Sequence, residues 1–211
     1  MRALTAGVLA SALALTPACE ARPKTLFPHT QGTVFLLESG APVEGARVTT
    51  KTGTASTATD KDGRFEIAAE IGKDRSIPLP ASGVYRDSAL LAAHHEGHHA
   101  FAPVDFISIS EEAESETWLF LLPADAPYST EGLPADCALP EPAVYGLQLL
   151  AAGDTASLQT VLAANPDFAF AFNRWLDRTL VRQLPQTCEI ATQQLLDWMD
   201  TIETLTAPAS D

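Results

Sequence analysis

The chain has 211 residues, of which 46% are hydrophobic, with a formal net charge of -14 and a pI of about 4.6. That much apolar material supports a packed core and excludes a disordered chain. The acidity argues against nucleic acid as a partner and against electrostatic docking on anionic lipid, since phosphates repel such a surface.

The chain opens "MRALTAGVLASALALTPACEARPK". Arg2 is a short positive n-region, and Leu4 to Leu15 form an apolar stretch too short to span a bilayer as a helix. This is the pattern of an export signal, covering residues 1–18. A signal peptidase could cut after Ala18. The segment also resembles a bacterial lipoprotein signal, whose processing leaves a lipid-modified cysteine at the new terminus, here Cys19. Leu15 stands four residues before that cysteine, where the lipoprotein pattern has its leucine three before. Glu20, rather than Asp, follows Cys19, which by analogy with lipoprotein sorting points to the outer membrane. The expected location is the bacterial cell envelope, facing the periplasm or the surface. With Cys19 taken by lipid, Cys137 and Cys188 remain as a pair in a compartment where disulfides persist.

Residues 19–31 carry Pro, Lys, Arg, Thr and Gln and read as a tether. Short strands follow. "GTVFLLESG" is a β-rich run closed by Ser-Gly, and "APVEGARVTT" is a turn and a strand. "TASTATDKDGRFEIAAE" places two strands around "DKDG", a hairpin signal. "FAPVDFISIS" and "TWLFLLP" complete a set of strands ending at Pro123. Short strands punctuated by turns predict a β-sandwich over 32–123.

Beyond Pro123 the stretch "ADAPYSTEGLPADCALPEP" reads as a linker, 124–136. Helices are then expected, forming a small α-helical domain over 137–206. One starts at Pro142 and stops at Gly153. The next is capped by Asp154. A third opens on the cap Asn165, with Pro166 in the first turn, and carries Phe168, Phe172, Trp175, Leu176 and Leu180. The last repeats Ala191, Leu195, Trp198, Met199, Ile202 and Leu205 at helical spacing, as a core stripe. A Cys137–Cys188 bridge closing these helices is worth about 4 kcal/mol in the chain-entropy model. Lying beyond the linker, it is expected to support the helices and leave the strands independent.

The stretch from Gly32 to Ile67 resembles the carboxypeptidase regulatory-like family, within the transthyretin-like group of Ig-like β-sandwiches. The family runs G-x-V, then P-V-x-G-A-x-V, then T-D-x-D-G-x-F-x-I. Here those are Gly32, Val34, Pro42, Val43, Gly45, Ala46, Val48, Thr59, Asp60, Asp62, Gly63, Phe65 and Ile67. The match is tight over the first third of the mature chain and loose to Pro123. It implies an accessory or structural module, often beside carbohydrate- or peptide-processing domains, and supplies no catalytic site.

"AHHEGHHAF", residues 93–101, holds four of the five histidines. From His95 it reads H-E-x-x-H, the zinc-peptidase signature, with His95 and His99 as ligands and Glu96 as base. That chemistry needs both histidines on one face of a continuous helix, and a third ligand. Ala and Leu upstream favour helix, and Gly97 opposes it. The metzincin continuation H-x-x-G-x-x-H is absent, and no histidine follows His99. The family resemblance instead places a strand, a turn at Gly97 and a returning strand here, which puts His95 and His99 out of reach of one zinc ion. A third reading makes His94, His95, Glu96, His98 and His99 a zinc- or copper-binding turn without catalysis. "DKDG" lacks the remaining ligands of an EF-hand loop. The expected function is a non-enzymatic, exported and lipid-anchored binding or accessory module with no cofactor and a protein or carbohydrate partner. The alternatives are an HExxH zinc metallopeptidase and a His-cluster metal-binding lipoprotein.

Overall fold

The computed structural model describes residues 22–74, 86–107, 113–153 and 155–206. The expected signal segment, Cys19 and the expected cap Asp154 lie outside them. The described residues combine β-sheet with helices. None of their helices is long and apolar enough to cross a membrane.

The strands are β1 (Arg22–Phe27), β2 (His29–Leu36), β3 (Arg47–Thr50), β4 (Ser56–Ala58), β5 (Arg64–Ile67), β6 (Glu70–Asp74), β7 (Arg86–His95), β8 (His98–Ile107) and β9 (Glu114–Pro123). Seven of them form one sheet in the order β4-β3-β7-β8-β9-β2-β5, while β1 and β6 pair separately. Pairing is antiparallel except between β2 and β9, which run parallel. The segment read as a tether is therefore largely strand from Arg22 onward. The reason is long-range: Arg22–Phe27 finds its partner at Glu70–Asp74, and Thr25 and Phe27 are buried there.

The "DKDG" turn forms as expected, but not as a hairpin. Asp60 Oδ1 accepts from the backbone N–H of Asp62 and of Arg64, both at 2.9 Å, and Gly63 takes φ +71°. That left-handed conformation strains any residue with a Cβ. The flanking strands pair elsewhere, β4 with β3 and β5 with β2. The turn thus carries the chain from one end of the curled sheet to the other, where β4 and β5 touch. Thr59 ties this corner together, donating to the Val43 carbonyl at 2.6 Å and accepting the Ala46 N–H at 2.8 Å.

Cross-strand register assigns the faces, since directly opposed residues point the same way. Val34, Val48, Leu91, Ala93, Ala100, Ala102 and Leu119 share the concave face and are almost completely buried. Phe65 lies over Gly32 on that face, where an added Cβ would meet its ring. Phe35, Phe101, Phe120 and Leu122 occupy the opposite, convex face.

Helices cover that convex face. They are α1 (Glu141–Gly153), α2 (Ala156–Ala164), α3 (Pro166–Leu176) and α4 (Thr192–Thr206), with a π-helical segment, Asp177–Gln183, and a 3-10 turn, Leu184–Gln186, between the last two. The cap of α2 is Thr155, whose side chain accepts from Leu158 N–H, in place of the expected Asp154. Asn165 caps α3 as expected, with Pro166 in the first turn. In the expected core stripe of α4, Trp198, Ile202 and Leu205 are buried, whereas Met199 and Ala191 face solvent.

Helices and sheet share one apolar core rather than two. Phe120 of β9 packs against Phe168 (centroids 4.3 Å) and Phe172 (6.2 Å), and Phe35 of β2 meets Phe168 at 5.5 Å. Asp105 of β8 is paired with Arg174 (2.6 Å) and with Arg178. Cys137 and Cys188 stand at disulfide distance, their Cα atoms 5.5 Å apart.

Candidate functional site

The histidine stretch is a β-hairpin. β7 ends at His95 and β8 begins at His98, joined by Glu96 (φ +46°) and Gly97 (φ +83°). Two successive positive φ values are the mark of a type I′ turn, whose twist suits a two-residue hairpin. Glu96 therefore lies in the left-handed region without being a glycine, and its side chain is open to solvent. Local propensity for helix loses here because Leu91–Ala93 and Ala100–Ala102 are buried on both faces of the hairpin, where small alanines fit.

Register settles where each imidazole goes. His94 is opposite His99, and His95 is opposite His98. Successive residues alternate faces, so His94 and His99 share the helix-facing side while His95 and His98 share the other. The H-E-x-x-H pair, His95 and His99, is split across the sheet. Among the described residues, no group of three or more His, Cys, Asp or Glu is arranged to hold a metal ion.

His99 is built into the contact between sheet and helices. Its Nε2 lies 2.8 Å from Oε1 of Gln148, which is 1% exposed. The Gln148 amide donates to the Ala124 carbonyl at 3.1 Å and the Ala126 carbonyl at 2.9 Å. Its oxygen is thereby left as acceptor, and His99 Nε2 carries the proton in this network. The His99 ring also packs edge-on against Phe101 and Tyr145. Two more imidazoles of the hairpin meet Glu96. His95 Nε2 is 3.8 Å from Glu96 Oε2, and His98 Nδ1 is 3.3 Å from the Glu96 carbonyl.

Tyr145 joins the layers. Its hydroxyl donates to the Phe120 carbonyl at 2.7 Å. Burial pushes the phenol far above its ordinary value, an effect partly offset by backbone bonding at Phe101 and Phe120. A raised acid pKa means that folding favours the protonated form. The contribution is complete below pH about 10, the unfolded value, and is lost as pH climbs above it. Wild-type stability should accordingly fall at high pH. Tyr145→Phe should flatten that alkaline decline, at a cost of about 1 kcal/mol at neutral pH for the lost hydrogen bond. Denaturant titrations at pH 7 and above pH 10 measure both effects.

A roomier concavity lies elsewhere among the described residues. A cleft of about 710 Å3 runs between β1, β7 and β8 on one side and α1 with the π-helical segment on the other. Its walls include Leu26, Phe27, Leu90, Pro103, Ala143 and Leu184. Lys51, Glu70 and Arg178 supply charge to a lining that is otherwise largely apolar. That size falls within the roughly 300–1,000 Å3 usual for ligand sites. Sequence reasoning missed it, because its walls come from seven separate stretches of chain. The one local signal was Pro140 and Pro142, rigid residues that form part of the wall. No family model and no curated protein matches the chain.

Proposed function

We propose that the chain is a non-catalytic binding module of the bacterial envelope, held there by a lipid on Cys19. We read its body as a carboxypeptidase regulatory-like, transthyretin-like β-sandwich, its strands curled into one sheet around the concave core. The positions of the family pattern support that reading. Gly63 takes the turn conformation that needs a glycine, and Phe65 and Ile67 are both buried on one side of β5. Thr59 links the T-D-x-D-G turn to the P-V-x-G-A turn by two hydrogen bonds.

The observation that carries the function is the apolar cleft between sheet and helices. Of a protein and a carbohydrate, its walls favour a protein. Leu26, Leu90 and Leu184 offer nothing to the hydroxyls of a sugar, but they suit the apolar side chains of an extended segment. Leu26 is half exposed at the edge, a ready anchor point for such a segment. Peptide display on the wild-type protein, counter-selected on a Leu26→Asp/Leu90→Asp variant, tests this. Enriched sequences should carry two or more apolar residues and lose binding to the variant. Peptides that bind the variant equally well would contradict the cleft as the site.

A further inference from the structure

His95 and His98 close the hairpin as directly opposed residues on one face of the sheet. Opposed residues carry their Cβ atoms about 4.5–5.5 Å apart. Two imidazoles on such a base can reach one metal ion, since a metal–nitrogen bond is about 2.0–2.1 Å long. Both residues are half-buried, so the strand ends steady them while solvent still reaches them. The two rings converge on Glu96. His95 Nε2 lies 3.8 Å from Glu96 Oε2, and His98 Nδ1 lies 3.3 Å from the Glu96 carbonyl. A carbonyl only accepts, so Nδ1 of His98 carries the proton in that contact. Its Nε2 is then left with a free lone pair, the form of imidazole that ligates a metal. The Glu96 carboxylate adds negative charge beside the pair, in a chain of net charge -14 that already attracts cations.

The other two hairpin histidines, His94 and His99, do not form such a pair. His99 Nε2 is committed to Gln148, and its ring is packed against Phe101 and Tyr145. His94 lies opposite Arg47 of β3, a fixed positive charge that repels a cation. The number of ligands then selects the metal. Among the described residues, no set of three His, Cys, Asp or Glu is arranged around an ion, so the pair acts with water alone. Structural and catalytic zinc sites use three or four protein ligands. Copper(II) binds nitrogen ligands more tightly than zinc or nickel does. It also takes a tetragonal arrangement, which two adjacent imidazoles and water can fill.

We propose that His95 and His98 bind one copper(II) ion at the end of the hairpin, with two imidazole nitrogens and water as its ligands. The site is separate from the cleft and stands or falls independently of it. The probe is copper(II) alone, added to the untagged full-length chain at neutral pH and followed by electron paramagnetic resonance. One copper per chain should give a tetragonal spectrum with two nitrogen ligands. His95→Ala and His98→Ala should each weaken binding by about ten- to a hundredfold, because either imidazole holds the ion close to the other. Glu96→Gln removes only an exposed neighbouring charge and should weaken it by about two- to fivefold. His94→Ala and His29→Ala should leave it unchanged. Wild-type protein gives a check that needs no variant. With substoichiometric copper, the His95 and His98 imidazole signals in the NMR spectrum should broaden before those of the other histidines. Four results would overturn the proposal: no copper binds, the spectrum shows fewer than two nitrogens, binding keeps full strength in His95→Ala or His98→Ala, or broadening begins at His29, His94 or His99. The last would mark the copper as adventitious, scattered over surface imidazoles.

Discussion

Phe120→Ala should lower stability by about 3–5 kcal/mol, the range for truncating a buried aromatic. Phe120 is 1% exposed and packs on Phe168 and Phe172, and its carbonyl holds the Tyr145 hydroxyl. Against a total of about 5–15 kcal/mol the loss is severe. For a chain of this size it corresponds to a melting temperature lower by about 10 °C. The way it melts matters as much as the amount. Because one core spans sheet and helices, far-UV dichroism and tryptophan fluorescence should report a single shifted transition. Helices that melt well before the strands would mean two independent units.

The second large effect is at the cysteines. Replacing Cys137 or Cys188 by serine reopens a loop spanning 51 residues of sequence separation, worth about 4 kcal/mol in the chain-entropy model. Peptide mapping without reductant should recover Cys137 joined to Cys188 from wild-type protein. Read from sequence, the bridge belonged to the helices alone, and its loss would leave the strands folded. The shared core changes that expectation. The closed loop contains Tyr145, Gln148, Phe168 and Phe172, the residues that hold the helices to β8 and β9. Loss of the bridge should therefore lower the melting of strands and helices together. A serine variant whose strands keep their wild-type midpoint would contradict this.

Much of the local structure was legible in the residues. Asn165-Pro166 marks a helix start because a side-chain cap and a proline suit the same first turn. Asp60 and Gly63 mark a turn because one supplies an acceptor for free N–H groups and the other tolerates positive φ. What such signals do not specify is pairing partners. The strands beside the Asp60–Gly63 turn join β3 and β2, and β1 finds β6 nearly fifty residues away. Those choices depend on which faces are buried in three dimensions. The cap at Thr155 shows a finer limit, since Asp154 and Thr155 are adjacent residues of similar capping ability. The histidine hairpin was open to a prior reading only through its turn. Local propensity favoured helix, and the choice between helix and strand rested on Gly97 and the surrounding pattern. The cleft had no linear signature, because it is assembled across the layers.

We infer that the H-E-x-x-H signature is not a peptidase centre, since its two histidines lie on opposite faces of a hairpin. The most direct test is chelator-sensitive peptide hydrolysis by untagged, zinc-supplemented protein, with Glu96→Gln beside the wild type. No hydrolysis that depends on both zinc and Glu96 is expected, and the two proteins should be indistinguishable. Hydrolysis by the wild type that is lost with chelator and lost again in Glu96→Gln would contradict the account.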